Sequence, residues 1–215
     1  MFWTLRPEVF GVAVGDDLVF LDLTGDEYTC LPRAARGIEI RPDASVVGLD
    51  DELAQTLLDG EIILQGAGSR PRAPPLPERA SRDLGDVADG PVTAGAIFTA
   101  IGVLDDLRRL GRDPPVIDLL EIGGQRHAAK AADPDIIQAQ ARIFRTLLPW
   151  LPVEGQCLKR SALLTAFLRR RGLNASWVFG VRTWPFRAHC WVQYDGVCLN
   201  DDAERLRAYT PILCR

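Results

Sequence analysis

The feature that most constrains this chain is a stretch that resists folding by itself. Residues 66–91, GAGSRPRAPPLPERASRDLGDVADGP, carry five of the fifteen prolines and almost no large apolar side chain. Proline fixes φ and removes a backbone donor, so such a stretch runs extended instead of entering a helix or a central strand. It divides the 215 residues into a first unit over 1–66, a linker over 67–91 and a second unit over 92–215. No internal repeat is visible.

The first unit reads as a small α+β module. EVFGVAVGDDLVFLDLTGDEYTCLP offers three strands, Val9–Val14, Leu18–Leu23 and Glu27–Leu31, separated by the turn-like GDD and TGD. RAARGIEI suits a short helix. GLDDELAQTLLDG suits a better one, with Asp50 or Asp51 near its start, Leu53, Leu57 and Leu58 on one side and Gly60 past its end. A module of about 65 residues buries only a modest core, which suits a binding unit better than an active site. It contains no histidine, and Cys30, in an apolar strand, reads as a packed small hydrophobe.

The second unit begins helical. TAGAIFTAIGVLDDLRRLG places Ile97, Ile101, Leu104 and Leu107 at helical spacing before Gly111, and PPVIDLLEIG follows. In DPDIIQAQARIFRTLLPWL, Asp133 can cap and Pro134 takes the first helical position. The next helix carries Leu158, Ser161, Ala162, Leu164, Thr165 and Leu168 and stops at Gly172, with Arg169–Arg171 read as a solvated, dipole-complementing end. Past Gly172 the pattern turns β-rich: NASWVFGVR, AHCWVQY and VCLND, the last two joined by Asp195-Gly196, a strong hairpin signal. Helices on a small antiparallel sheet make an α+β domain.

Composition narrows the chemistry. Five cysteines, an odd number with no C-x-x-C pair, argue against a disulfide framework. With only two histidines, zinc would need an improvised set such as Cys157, His189, Cys190 and Cys198; adjacent strand residues 189 and 190 point to opposite faces and could hardly ligate one ion. Neither metal nor cofactor is expected, and GQRHAAK and GLNAS do not fit a phosphate loop. A net charge of -4 gives no support for nucleic-acid binding. No apolar run reaches the ~20 residues that span a bilayer. MFWTLRPEVF lacks the basic-then-apolar pattern of a secretory signal, so a cytoplasmic protein is expected.

One constellation remains. Cys157 lies at a helix N-terminus, where unpaired N–H groups and the helix dipole favour a thiolate. His189 sits on the first hairpin strand, and Asp201 and Asp202 end the second. Cysteine as nucleophile, histidine as proton carrier and aspartate as orienter form the set a thiol protease needs. A two-residue hairpin loop would set His189 opposite Asp202, whereas a three-residue loop would bring Asp201 there. His127, after Gly123-Gly124, reads as surface; Cys190, Cys198 and Cys214 read as packing residues.

The order of Cys-helix, AH-x-WV strand, DG turn and LND strand resembles the transglutaminase-like cysteine peptidases. More narrowly, GQCLKRSALL with FRAHCWVQYDGVCLND resembles the B proteins of lasso-peptide biosynthesis, which remove a leader peptide. The resemblance covers roughly 92–215 and implies a transglutaminase-like, papain-like peptidase domain with Cys157, His189 and Asp201 as its triad. It departs from the pattern at Cys190, where a small residue is expected; pointing away from His189, Cys190 would leave the triad intact. Residues 1–66 resemble the winged-helix-like peptide-recognition domain of peptide-modifying systems. That implies a leader added as a strand to the three-stranded sheet, near Tyr28, Cys30, Leu53 and Leu57. The partners implied are a precursor peptide and an ATP-dependent, asparagine-synthetase-like cyclase. A transglutaminase-like acyl transferase and a catalytically silent peptide-binding scaffold are the alternatives.

Overall fold

The computed structural model describes residues 2–66, 76–85, 91–122, 132–153 and 157–215. His127 and most of the expected linker, 67–75 and 86–90, lie outside them. The chain divides into two compact units: Met1–Leu76 with Gly180–Ala188 and Thr210–Cys214, and Pro77–Phe179 with His189–Tyr209 and Arg215.

The first unit opens with β1 (Trp3–Leu5), then β2 (Val9–Val14), β3 (Asp17–Asp22) and β4 (Glu27–Leu31). The last three form an antiparallel meander in the order β2-β3-β4, within a residue of the strands expected from the sequence. A second sheet, in the order β5-β6-β1-β7, combines β1 with β5 (Glu39–Ile40), β6 (Ser45–Val47) and β7 (Ile63–Gln65). These strands are too short to show a period of two. The helix expected over RAARGIEI is a single 3-10 turn, Ala34–Arg36, followed by β5. The tight return explains the difference: Gly48, at φ +86, lies so near the Gly37 carbonyl that a Cβ would fall 1.9 Å from its oxygen. Between β6 and β7 runs α1 (Asp51–Asp59), capped by Asp50, whose carboxylate accepts the Leu53 N–H at 2.8 Å. Leu18, Phe20, Val46, Leu57 and Ile63 form the core of this unit, each contributing about 1.5–3 kcal/mol by leaving water.

The second unit supplies β8 (Arg82–Asp83), α2 (Ala94–Arg109), α3 (Val116–Glu121), α4 (Pro134–Leu147) and α5 (Cys157–Arg170). Next along the chain come β9 (Ser176–Arg182), β10 (Arg187–Tyr194), β11 (Val197–Cys198), α6 (Ala203–Leu206) and β12 (Thr210–Cys214). β12 belongs to the first unit; the strands of the second pair in the order β9-β10-β11-β8. Part of the expected linker therefore belongs to the sheet. Arg82 and Asp83 pair parallel with Val197 and Cys198, Gln193 Nε2 donates to Glu78 O at 2.7 Å, and Ala80 and Leu84 are buried. Isolated apolar residues among prolines carry no periodic signal, but an open strand edge can still pair with them.

Two helix faces correct the sequence reading. Ile97 and Ile101 are 43 % and 54 % exposed, while Ala96, Ala100, Val103, Leu104 and Leu107 form the buried face of α2. Small residues there allow close approach to α5, whose Arg170 reaches Asp106 at 2.5 Å. Arg169, expected in solvent, is 5 % exposed and donates from Nη1 to Leu120 O at 2.7 Å and Ile122 O at 3.2 Å. The short α3 leaves its last carbonyls without helical partners, and Arg169 serves them. Among the described residues no helix is long and apolar enough to cross a membrane.

Candidate active site

The continuous buried run Ser161–Arg169 fixes α5 within its unit. Cys157, half-buried, is the first residue of that helix. At this position the first-turn N–H groups have no partners within the helix. His189, 8 % exposed, is the third residue of β10, with the rings of Tyr209 and Trp191 5.4 and 6.3 Å away between centroids. Trp191 Nε1 donates to Gln193 Oε1 at 2.7 Å, and Gln193 is held in turn by Glu78.

The hairpin decides which aspartate meets the histidine. Asp195 and Gly196 both have positive φ, 49° and 71°, and Tyr194 pairs with Val197. This is a two-residue loop of the kind that suits right-twisted strands. Simple continuation of that register would set His189 opposite Asp202. The ladder ends first: Leu199 N donates to Val192 O at 2.8 Å, but Val192 N donates at 2.8 Å to Asn200 Oδ1, a side chain, instead of to the next carbonyl. The chain then leaves the strand, and the Asp201 carboxylate meets His189 Nε2. Its other oxygen accepts Asp202 N at 2.8 Å and lies 3.6 Å from Arg205 Nη1. Asp202 caps α6, accepting from Glu204 N at 2.7 Å and Arg205 N at 3.3 Å.

The charges support one another. The Cys157 thiol is drawn down to about 4, first by a hydrogen bond from the Cys190 thiol and then, against the effect of burial, by His189 and the Cys190 backbone. Burial by itself would lower the basicity of His189, but its bonds to Asp201 and Cys157 raise it to about 9. Burial likewise opposes ionisation of Asp201, yet the His189 hydrogen bond, the Asp202 N–H and Arg205 hold its carboxyl below the usual range. Around neutral pH the group is a thiolate, an imidazolium and a carboxylate in series.

Cys190 is a correction. Expected to point away as a packing residue, it is buried yet interacts with the Cys157 sulfur through both its thiol and its backbone. Burial and the neighbouring thiolate keep the Cys190 thiol protonated, well above the ordinary thiol range. Cys198 and Cys214 are buried, and burial raises the Cys198 thiol to about 11.

The sequence reading did not single out Asn200 or give Ser161 any role but packing. Asn200 Nδ2 donates to Ser161 Oγ at 2.9 Å, and Ser161 Oγ donates to Cys190 O at 3.4 Å. The only sequence signal was an amide residue interrupting an apolar strand in LND. Beside Asp201 lies a cavity of about 410 Å³, lined in part by Phe144, Leu164, Leu199 and Arg160.

In the first unit, Tyr28 and Cys30 lie half-buried on β4, the edge of its meander, with Tyr28 5.8 Å from the Phe186 ring. Leu53 is partly buried against the core. Leu57, expected beside a groove, is 2 % exposed and belongs to the core, because the inner face of α1 turns it onto the sheets.

Over 48 residues the chain is 42 % identical to the microcin J25-processing protein McjB of Escherichia coli. The match covers 22 % of this chain and 23 % of McjB, so it spans less than a quarter of that relative. No solved structure matches the chain. The model of the transglutaminase-like superfamily matches residues 100–214, more than half of the chain, and by that match the chain belongs to the transglutaminase-like superfamily.

Proposed function

We propose that this chain is a cysteine peptidase that cleaves the leader from a ribosomally made lasso precursor peptide before macrolactam closure. The observation that carries the reading is the meeting of Cys157, His189 and Asp201 in one charged series. The likeness to McjB, named for processing microcin J25, supports the substrate class.

The Cys157 thiolate attacks the scissile carbonyl, and first-turn N–H groups of α5 receive the oxyanion. His189 gives its proton to the leaving amine as the tetrahedral intermediate collapses to a thioester. Neutral His189 then takes a proton from water, which attacks the thioester carbonyl and frees the acid and the thiolate. Asp201 keeps the imidazole oriented through Nε2 in both steps.

Residues 1–66 serve as the leader-recognition domain, with the leader pairing to the β4 edge near Tyr28 and Cys30. Binding there raises the local concentration of the scissile bond, so the peptidase cleft can bind weakly. The freed core goes on to an ATP-dependent, asparagine-synthetase-like cyclase.

The test is to incubate the chain and its Cys157→Ala variant with the precursor encoded beside its gene and read the products by mass spectrometry. One cut between leader and core, absent with the variant, is the expected result. A product joined to an added amine would mark an acyl transferase. Leader binding without any cut, with the cyclase present, would mark a binding scaffold.

A further inference from the structure

The three groups of the site stand on three separate pieces of chain: the start of α5, the first half of β10 and the loop after β11. One side chain, carried by the loop, bonds to the other two. Asn200 Oδ1 accepts the Val192 N–H of β10 at 2.8 Å, and its Nδ2 donates to Ser161 Oγ at 2.9 Å. Ser161 is fully buried and stands four residues, one helical turn, after Cys157. Its hydroxyl continues to the Cys190 carbonyl, the residue after His189, at 3.4 Å. Asn200 also directly precedes Asp201.

We infer that Asn200 is the positioning residue of the site, its amide locking the cysteine helix, the histidine strand and the aspartate loop in one register. Both halves of the amide are needed. The acceptor replaces a main-chain carbonyl and so ends the β10–β11 ladder at the point where Asp201, and not Asp202, faces the imidazole. The donor ties that break to α5 through a buried hydroxyl, where an unpaired group would carry its full desolvation cost. An alanine satisfies neither partner. An aspartate keeps the acceptor but loses the donor to Ser161. The inference rests on the thiol-peptidase reading only for what the register serves.

The experiment reads His189 itself. The chain has two histidines, so ring signals in NMR spectra of the full chain can be assigned with a His127→Gln variant. His189 is expected to titrate near 9 in the unaltered chain. Asn200→Ala should lower that midpoint by about one unit or more, a tenfold change in the protonation equilibrium, toward the value in Asp201→Asn. The double variant should go no lower than Asp201→Asn. A midpoint unchanged in Asn200→Ala, or a double variant that adds the two shifts, would overturn the inference. If Asn200→Ala does not melt cooperatively, Ser161→Ala carries the test by cutting the ties of α5 to Asn200 and to the Cys190 carbonyl while leaving the Asn200 bond to Val192 N: a lowered midpoint supports the inference and an unchanged one overturns it. No substrate is needed. A shifted midpoint in a chain that cuts no precursor would therefore sink the peptidase reading alone, and a cut precursor with an unshifted midpoint would sink this inference alone.

Discussion

His189 meets Asp201 through Nε2, and the same imidazole and the Cys157 thiol favour each other's charged forms, so Nδ1 is the nitrogen left to exchange a proton with sulfur. This fixes the direction of proton traffic. The nitrogen bonded to the carboxylate keeps its proton throughout, while the other exchanges one with sulfur, leaving amine and water. The carboxylate has a supporting set of its own, Asp202 N and Arg205, so it is held before the histidine is charged.

The two neighbouring aspartates should separate cleanly. Asp201→Asn replaces the anion that orients and stabilises the imidazolium, and the cleavage rate should fall by about 10²–10⁴-fold. Asp202→Ala removes only the cap of a four-residue helix, with a stability cost of about 1 kcal/mol and a rate within a few-fold of the unaltered chain. Cleavage rates beside urea melts check both; a larger rate loss in Asp202→Ala would reverse the assignment.

The pH window follows from the shifts. The Cys157 thiol, lowered to about 4, is ionised above that pH and protonated below it. His189, raised to about 9, carries its proton below that pH and loses it above. Both reactive forms coexist between the two values, which belong to the pair and not to either residue separately. Alkylation of Cys157 by iodoacetamide should therefore rise through about 4 and persist at high pH, while peptide cleavage should rise through about 4 and fall through about 9. An alkylation midpoint near that of a free thiol would mean the charged pair does not form.

Cys190 gives a third test. Cys190→Ala removes the thiol that donates to Cys157 but keeps the backbone contact. The acid limb of Cys157 alkylation, read by peptide mapping, should move up by about one unit. Cys190→Ser keeps a donor and should stay near the original limb. Equal limbs in the alanine variant and the unaltered chain would return Cys190 to a packing role.

What the sequence made legible is what repeats over many residues. The three strands of the meander, α4 with its Asp133 cap and the α5 run each present enough residues for a period to show. The Asp195-Gly196 turn is equally readable, because only a few residues tolerate positive φ. Short strands such as β1, β6 and β8 are not, since two or three residues carry no period and their pairing is decided by an edge elsewhere. The same limit applies at the site. Cys157 and His189 stand out by type and element, but the aspartate was ambiguous because one amide side chain, Asn200, ends the ladder early. Arg169 is illegible for a related reason: its charge suggests solvent, while its partners are carbonyls some 47 to 49 residues away.

That buried arginine yields the last test. Arg169→Met keeps most of the stem but removes the donors to Leu120 O and Ile122 O, two carbonyls at the end of α3. A hydrogen bond from a charged group to a buried acceptor contributes about 1.5–3 kcal/mol, so the variant should unfold at clearly lower urea with an unchanged slope. The adjacent Arg170 pairs with Asp106 with its side chain 38 % exposed, where ion pairs contribute about 1 kcal/mol or less. Arg170→Met should then cost less than Arg169→Met. The reverse order would mean that the C-terminus of α3 is satisfied by other groups and that Arg169 is the spare charge.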